Sequence, residues 1–358
     1  MVFDPTLPLS ADFTNTISHQ ISDFLDQAGQ RIAEIDSSLG FTTELARMFT
    51  QTGKRLRPAF CYWSYVAAAG QSQTSDGLLK TVASLDLLHV GILIHDDVMD
   101  DSDLRRGVPT AHRQFEAAHR AGNGIGDSAA YGRAAAIQLG NLLQVWSIEM
   151  AEPGISEISD PSAARAVLDS VREEVVAGQF LDLAAQNLLL PGDLSAIAEK
   201  VAEQKTSRYT IQRPASLGAT LGDGSDTLVF ALDQFGLPLG RAFQYRDDLL
   251  GVFGDEAVTG KTSGDDLKEG KRTLLLAEAS KDPRTADVLR DCLGTPQALE
   301  RLDEIRELIV ASGAVERIER RIEEDHAAAL RILTSTQMTS EGRTALTKLA
   351  DLAVHRDF

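Results

Sequence analysis

The sequence predicts an all-α protein built from long helices, and three observations carry that reading. Apolar residues recur every three or four positions along most of the chain, as at Ile17, Ile21, Phe24, Leu25, Ala28 and Ile32. Gly and Pro interrupt the pattern at intervals suited to helices, and the short β-branched alternation of strands is missing. No internal repeat with a period of roughly 20–50 residues is visible. With 358 residues, 43% of them hydrophobic, the chain can fill one large core or two ordinary ones.

Taken in order, residues 1–12 read as a loose arm, and a first helix runs from about Asp12 to Leu39, closed by Gly40. A short helix over Thr42–Phe49 leads into TGKRLRP. Pro58 belongs in the first turn of the next helix, where its missing N–H is not needed. Gly70–Gly77 is a polar turn ahead of a central apolar helix. Pro109 and Thr110 open a helix to about Arg120, and AGNGIGDSAAYG reads as a loop, since its glycines follow no strand. Ala134–Met150 is a long apolar helix and EPGISEISDPS a turn region, after which Asp160 caps a helix begun by Pro161 or Ser162. Leu194–Leu221 is helical with a bend near Pro214, and Thr227–Phe253 is helical up to the loop GDEAVTGKTSGDDLKEGKRT. Four more helical segments follow, broken near Pro283, Gly294–Pro296, Gly313 and Thr334–Ser340. The stretch RIERRIEEDH reads as a solvated helix face.

A net charge of −18 argues against nucleic acid or an anionic membrane surface as a partner, and an anionic substrate would need local Lys and Arg. Two cysteines, Cys61 and Cys292, form no framework and suit a reducing cytoplasm. The start MVFDPTLPLSADF has neither the basic nor the apolar region of a signal peptide. No uninterrupted apolar run approaches the ~18 residues of a membrane span.

The central helix ends in HDDVMDDSDLRRG, which puts Asp96, Asp97, Asp100, Asp101 and Asp103 ahead of Arg105 and Arg106. Like charges four apart on a helix repel, so these acids cost stability unless a cation lies among them. Hard carboxylate oxygens at this spacing suit Mg²⁺, which shares its coordination with substrate phosphates. A solvated helix end would account for the acids but not for the apolar run before them or for a second doublet, Asp247–Asp248, in FQYRDDLLGVFGD. Asp255, Asp265 and Asp266 follow it. Unpaired buried charge costs several kcal/mol, so two doublets point to one shared ionic partner, with Asp96 facing Asp247. The spacing excludes an EF-hand.

Lys54, Arg55, Arg57, Arg105, Arg106, Lys205, Lys261, Lys271 and Arg272 sit beside glycines, prolines or aspartate clusters. Arg suits bidentate contact with phosphate and Lys a point-charge contact. His89 and His95 lie in the central helix, whereas His19, His112 and His355 carry no pattern. Glu116–His119 and Glu323–His326 are ExxH pairs of the kind that build di-iron sites, but that reading leaves both aspartate doublets without a role.

Together these residues resemble the trans-type polyprenyl diphosphate synthases. GKRLRP, DLLHVGILIHDDVMDDSDLRRG, GQFLDL, KTSRYT, FQYRDD and GKTSGDDLKEGKRT follow one another in that family's order across roughly Phe41–Thr273. The resemblance implies an all-α isoprenoid-synthase helical bundle around a central cavity, with residues 1–358 as a single domain in what is usually a homodimer, and the cysteine usage adds the expectation of a cytoplasmic protein. It implies a Mg²⁺-dependent prenyltransferase of isoprenoid biosynthesis. Isopentenyl diphosphate would condense with dimethylallyl, geranyl or farnesyl diphosphate and release pyrophosphate. By the same resemblance, Asp96, Asp97 and Asp100 from one side and Asp247 and Asp248 from the other hold three Mg²⁺ on the allylic diphosphate. Arg105, Lys205 and Lys261 contact that diphosphate, while Lys54, Arg57, His89 and Arg106 bind that of isopentenyl diphosphate. Thr206 and Gln244 lie near the allylic carbon. The chain departs from the family pattern at Gly251, where the second motif usually has a third acid, at Thr52 before GKR, and at Asn141 after Gly140.

In such an enzyme the residues a turn or more before Asp96 meet the growing tail, namely Gly91 and Ile92, then Leu88, then Leu85 and Ser84. Short-chain members tend to place an aromatic near the first pair. Gly91 leaves room, so the expected product is the twenty-carbon geranylgeranyl diphosphate, and Gly91→Phe should shorten it. A class I terpene cyclase shares the fold but would carry an Asn/Ser/Glu second motif and has no need of GKRLRP or His89. A non-catalytic partner subunit of a prenyl synthase usually loses one acidic motif. An HD-type phosphohydrolase would use only His95–Asp96 and leave the cations unexplained.

Overall fold

The computed structural model describes residues 2–71, 74–254 and 263–355. Helices α1 (Ala11–Ile35), α2 (Gly40–Gln51) and α3 (Leu56–Ala69) lead to α4 (Asp76–Met99), and α5 (Ala111–Ala121), α6 (Ser128–Ile155) and α7 (Pro161–Gln186) follow. Then come α8 (Leu194–Val201), a π-helical stretch (Ala202–Gln212), α9 (Arg213–Leu221) and α10 (Asp226–Phe253). The C-terminal part holds α11 (Asp265–Lys268), α12 (Leu274–Ala279), α13 (Pro283–Cys292), α14 (Gln297–Glu300), α15 (Leu302–Ala311), α16 (Ala314–Ser335) and α17 (Ser340–Val354). The all-α expectation holds, with one exception among the described residues. Leu104–Arg105 and Val108–Pro109 form a two-residue antiparallel hairpin.

Many starts obey the local chemistry. The side chains of Ser10, Ser75, Asp127, Asp160 and Ser225 each accept a backbone N–H from the first turn they precede, which satisfies donors that the helix cannot. Pro58 and Pro161 lie in first turns, as expected. Other boundaries move. Gly40 opens α2 instead of closing α1, because Asp36 accepts from Ser38 and starts a 3₁₀ turn there. The supposed loop AGNGIGDSAAYG is helical from Ser128 onward, since Asp127 caps both Ala129 and Ala130. At its other end α6 runs through Pro153 to Ile155, four residues into the expected turn region.

The arm at residues 1–12 is not loose among its described residues. Phe3 is buried edge-on against Phe13 and Tyr62, and its N–H and C=O bond the Gln71 amide at 2.7 and 3.0 Å. An aromatic ring buried with both backbone groups satisfied is anchored. The stretch RIERRIEEDH is likewise more than a solvated face. Glu319 holds Arg246 through two 2.7 Å bonds, Asp325 pairs with Arg241, and Arg321 with Glu199, so α16 is tied to α8 and α10.

One apolar core extends from Phe3 to Val354, with α4 in it. Alone among the described residues, α4 is long and apolar enough to cross a membrane, but 78% of that window is buried against other helices. A helix that is apolar all round belongs in such a core. It packs against α6 at a glycine crossing. A Cβ added to Gly91 would stand 2.9 Å from the Gly140 carbonyl oxygen, and one on Gly140 would stand 3.0 Å from the Gly91 oxygen.

Candidate active site

The C-terminal turn of α4, the π-helical stretch, α10 and the segment from Ser263 to Leu274 enclose a cavity of about 540 Å³. Asp96 lines one side, while Asp247 and Asp248 line another. Lys54, Arg106, Lys205, Thr206, Gln244, Lys271 and Arg272 belong to its polar wall, together with Asp182, Asp265 and Asp266. Asp96 and the Asp247–Asp248 doublet therefore meet at one place although about 150 residues separate them in the sequence.

Asp96 is clasped at Oδ1 by Lys205 Nζ at 3.0 Å and Gln179 Nε2 at 2.9 Å. Burial by itself would raise its carboxyl, but Lys205, Lys271 and Arg105 outweigh that and hold it below the ordinary carboxylate range. Lys205 also donates to Asp182 Oδ2 at 2.7 Å. Asp100, one turn beyond Asp96 and not itself on the cavity wall, has its buried Oδ2 3.3 Å from Lys271 Nζ, and that oxygen accepts no hydrogen bond. Burial pushes the Asp100 carboxyl up to about 6 despite Lys271. Asp248 is buried and pushed up to about 8, again by burial, against a 2.7 Å hydrogen bond from Gln244 Nε2 that favours its charged form. Asp100 and Asp248 are thus buried carboxylates whose charged form burial disfavours, whereas Asp96 is held charged by its cations.

The expected ligand Asp97 is placed elsewhere. It is absent from the cavity wall, and Arg105 grips its Oδ1 through both Nε, at 2.8 Å, and Nη2. Arg105 is thereby engaged as well, and it too lies off the cavity wall, with its Nη2 3.9 Å from Asp96. The reason is the hairpin. Arg106 and Gly107 both take positive φ, the pattern of a tight primed turn, which folds Arg105 back onto the helix end. The same turn brings Arg106 to the Thr52 carbonyl and to Thr52 Oγ1, 3.0 Å away.

Behind the acidic wall lies a basic one. Arg57 sits 4.2 Å over the Tyr209 ring and donates to Thr210 Oγ1, and Tyr209 OH meets His89 Nδ1 at 2.7 Å. Burial, then Arg57, Arg106 and Arg105, hold His89 well below its usual value, which favours the neutral ring. Arg57 and His89 do not line the cavity itself, whereas Lys54 and Arg106 do. Arg55 goes into the core, where it pairs with Asp86 at 2.8 Å. Lys261 and Asp255 lie outside the described residues.

Lys205 and Thr206 are presented by the π-helical stretch, whose wider turns are accommodated by glycines on both flanks. An added Cβ on Gly178 would stand 2.6 Å from Lys205 Cα, and one on Gly240 would collide with Ser207. The motif KTSRYT marked this segment, but its π geometry is not readable from composition. Sequence reasoning also missed Asp182 and Gln179 as members of the site, and it singled out Lys271 and noted Asp266 without giving them partners. The signal was present in GQFLDL and GKTSGDDLKEGKRT, and what was lacking was the partner each residue would face.

The tail-facing set needs revision. Leu88 and Ile92 pack with Val171, Val175 and Tyr209 in a small apolar cluster apart from the main core. Gly91 instead faces α6, where Gly140 and Leu143 already occupy the space a side chain would take. Leu85 and Ser84 are buried further along, Leu85 in the main core and Ser84 bonded to the Thr81 carbonyl.

Comparison with known proteins agrees with this geometry. The polyprenyl synthetase family model matches residues 41–310. A solved geranylgeranyl pyrophosphate synthase from Corynebacterium glutamicum, complexed with isoprenyl diphosphate and magnesium, superposes with a TM-score of 0.91 at 37% identity, over 96% of this chain and 98% of that one. The geranylgeranyl diphosphate synthase of Saccharolobus solfataricus is 29% identical over 82% of both chains. The geranylfarnesyl diphosphate synthase of Aeropyrum pernix is also 29% identical, over 95% of this chain and 99% of its own. With Asp96, Asp247, Asp248 and cations gathered around one cavity in a fold shared along nearly its whole length, this chain belongs to the polyprenyl synthetase family and is a prenyltransferase of isoprenoid biosynthesis.

Proposed function

We propose that the enzyme condenses isopentenyl diphosphate with an allylic diphosphate, most simply to geranylgeranyl diphosphate, within a single domain spanning the chain. The observation that carries the proposal is the placement of Asp96 and Asp247 on walls of one cavity that also presents Lys54, Arg106, Lys205 and Lys271. The donor set fits Mg²⁺, because hard carboxylate oxygens converge and the buried Asp100 Oδ2, 3.3 Å from Lys271 Nζ, accepts no hydrogen bond. Asp96, Asp100, Asp247 and Asp248 would hold the metal, three ions on the family pattern, with Asp266 beside them. When bound, Mg²⁺ neutralises the diphosphate and stabilises charge on the departing pyrophosphate.

The protein's own groups do the rest. Lys205 and Lys271, raised in proton affinity by Asp96, Asp182, Asp266 and Asp100 against the opposing effect of burial, stay charged and contact the allylic diphosphate. Lys261 joins them on the family pattern. Lys54, Arg57 and Arg106 seat the diphosphate of isopentenyl diphosphate, and neutral His89 adds a hydrogen bond. Arg105 acts by fixing Asp97 and the hairpin. The allylic C–O bond breaks and the carbocation is held near Thr206 and Gln244. The isopentenyl double bond attacks it, a C–C bond forms, and the proton lost from the isopentenyl unit goes to pyrophosphate. Ile92 and Leu88, backed by Val171 and Val175, receive the tail.

A homodimer is supported by α6, which exposes Tyr131, Ile137, Val145 and Ile148. The two cysteines are unbridged and buried, in keeping with a reducing cytoplasm. The test supplies purified protein with Mg²⁺, isopentenyl diphosphate and each allylic starter in turn, and measures product length. A twenty-carbon diphosphate is expected. Absence of elongation from every starter would refute the enzyme reading, and a longer main product would refute the chain length alone.

A further inference from the structure

The C-terminal end carries a cluster that the prenyl-transfer site does not use. Glu323 and His326 on α16 and His355, the residue that caps α17, bring one ligand-type atom each within 4.8 Å of one another. His326 is buried, and its ring stands edge-on to that of His355 with centroids 5.1 Å apart. Its Nε2 lies 3.2 Å from Asp351 Oδ1 but makes no hydrogen bond. A buried imidazole nitrogen without a hydrogen bond costs stability unless something else meets it.

We infer that Glu323, His326 and His355, with Asp351 beside them, form a binding site for a zinc-class divalent cation, separate from the magnesium-type site. Two imidazoles and one or two carboxylates are the nitrogen and oxygen donors that Zn²⁺ favours. Zn–N and Zn–O bonds near 2.0 Å in a tetrahedron place ligand atoms roughly 3.3 Å apart. The His326–Asp351 spacing of 3.2 Å already has that value, and the Glu323 and His355 ligand atoms, within 4.8 Å of each other and of that of His326, are carried on exposed side chains. The cation ties the end of α17 to α16, one helical turn from Glu319, which holds Arg246. Arg246 also donates to the Val354 carbonyl at 3.1 Å and immediately precedes Asp247.

The test is a Zn²⁺ titration of chelator-treated full-length protein against a chromophoric competitor, with excess Mg²⁺ and inorganic pyrophosphate occupying the acidic cavity. One Zn²⁺ per chain is expected, with at least a tenfold weaker affinity in His355→Ala and in Glu323→Gln, both substitutions at exposed positions that leave the core intact. Saturating Zn²⁺ should raise the melting temperature by about 3 °C in the wild type and not in the double variant. Co²⁺ in its place should give the visible absorption of a four-coordinate nitrogen and oxygen site, lost in His326→Asn. Equal Zn²⁺ affinity in the wild type and the double variant would overturn the site.

Discussion

The carboxylate of Asp266 stands over Gly251, in the space where a side chain at that position would lie. A Cβ added to Gly251 would collide with Asp266 Oδ2 and sit 3.1 Å from its Cγ, and the Gly264 N–H donates to the Gly251 carbonyl at 3.0 Å to hold the two segments together. The second acidic motif reads DDLLG here, so a carboxylate from the following short helix α11 fills the place of the motif's usual third acid. Asp266→Asn should weaken activating Mg²⁺ by about 10–100-fold, as losses of metal-orienting partners do. Gly251→Asp should be harmful in the wild type and should partly rescue an Asp266→Gly background. A double-mutant cycle on Mg²⁺ affinity checks this, and additive effects would show that the two positions are independent.

Lys271 sits among Asp100, Asp266 and Glu269, with the first two at 3.3 and 3.4 Å. Removing one partner of a buried ion group leaves uncompensated charge, at about 3 kcal/mol. Lys271→Met should lose about that much in urea unfolding without metal, and Mg²⁺ should recover most of it. Equal losses with and without Mg²⁺ would mean that the lysine and the metal do not share those carboxylates.

Asp248 and Asp100 bind protons more tightly in the folded chain than their ordinary value of 3.8 allows, at about 8 and about 6, because burial disfavours their charge. Between about pH 4 and pH 8 the folded state therefore holds protons that the unfolded chain has released, and their contribution to metal-free stability falls as pH rises. Asp248→Asn should flatten that slope. Mg²⁺ binding at pH 7 should release protons, seen as a binding heat that varies with the ionisation enthalpy of the buffer.

Gly91→Phe and Ile92→Phe should behave differently. The first drives a ring into the Gly140 backbone, and overpacking of this kind costs about 1–3 kcal/mol, so a lower melting temperature is expected more than a clean change of product. Ile92 lies in the small cluster with Val175, so an aromatic there should shorten the main product to fifteen carbons at near-normal stability. Chromatography of the products and a thermal melt on each variant separate the two.

What the sequence by itself determined is the set of helices and the identity of the chemistry. Helical periodicity, caps such as Asp160, and acids interrupting apolar runs are local signals, and the order of the motifs ties them to one family. The tertiary structure decided what each residue faces. It turned Asp97 away onto Arg105 by a hairpin, set Gly91 against α6, sent Arg55 into the core, and delivered Asp266 to the gap at Gly251. It also brought His355, featureless in the sequence, to His326. A side chain's role depends on which helix crosses it and at what angle. That choice is made by packing between segments far apart in the chain, and no local pattern encodes it.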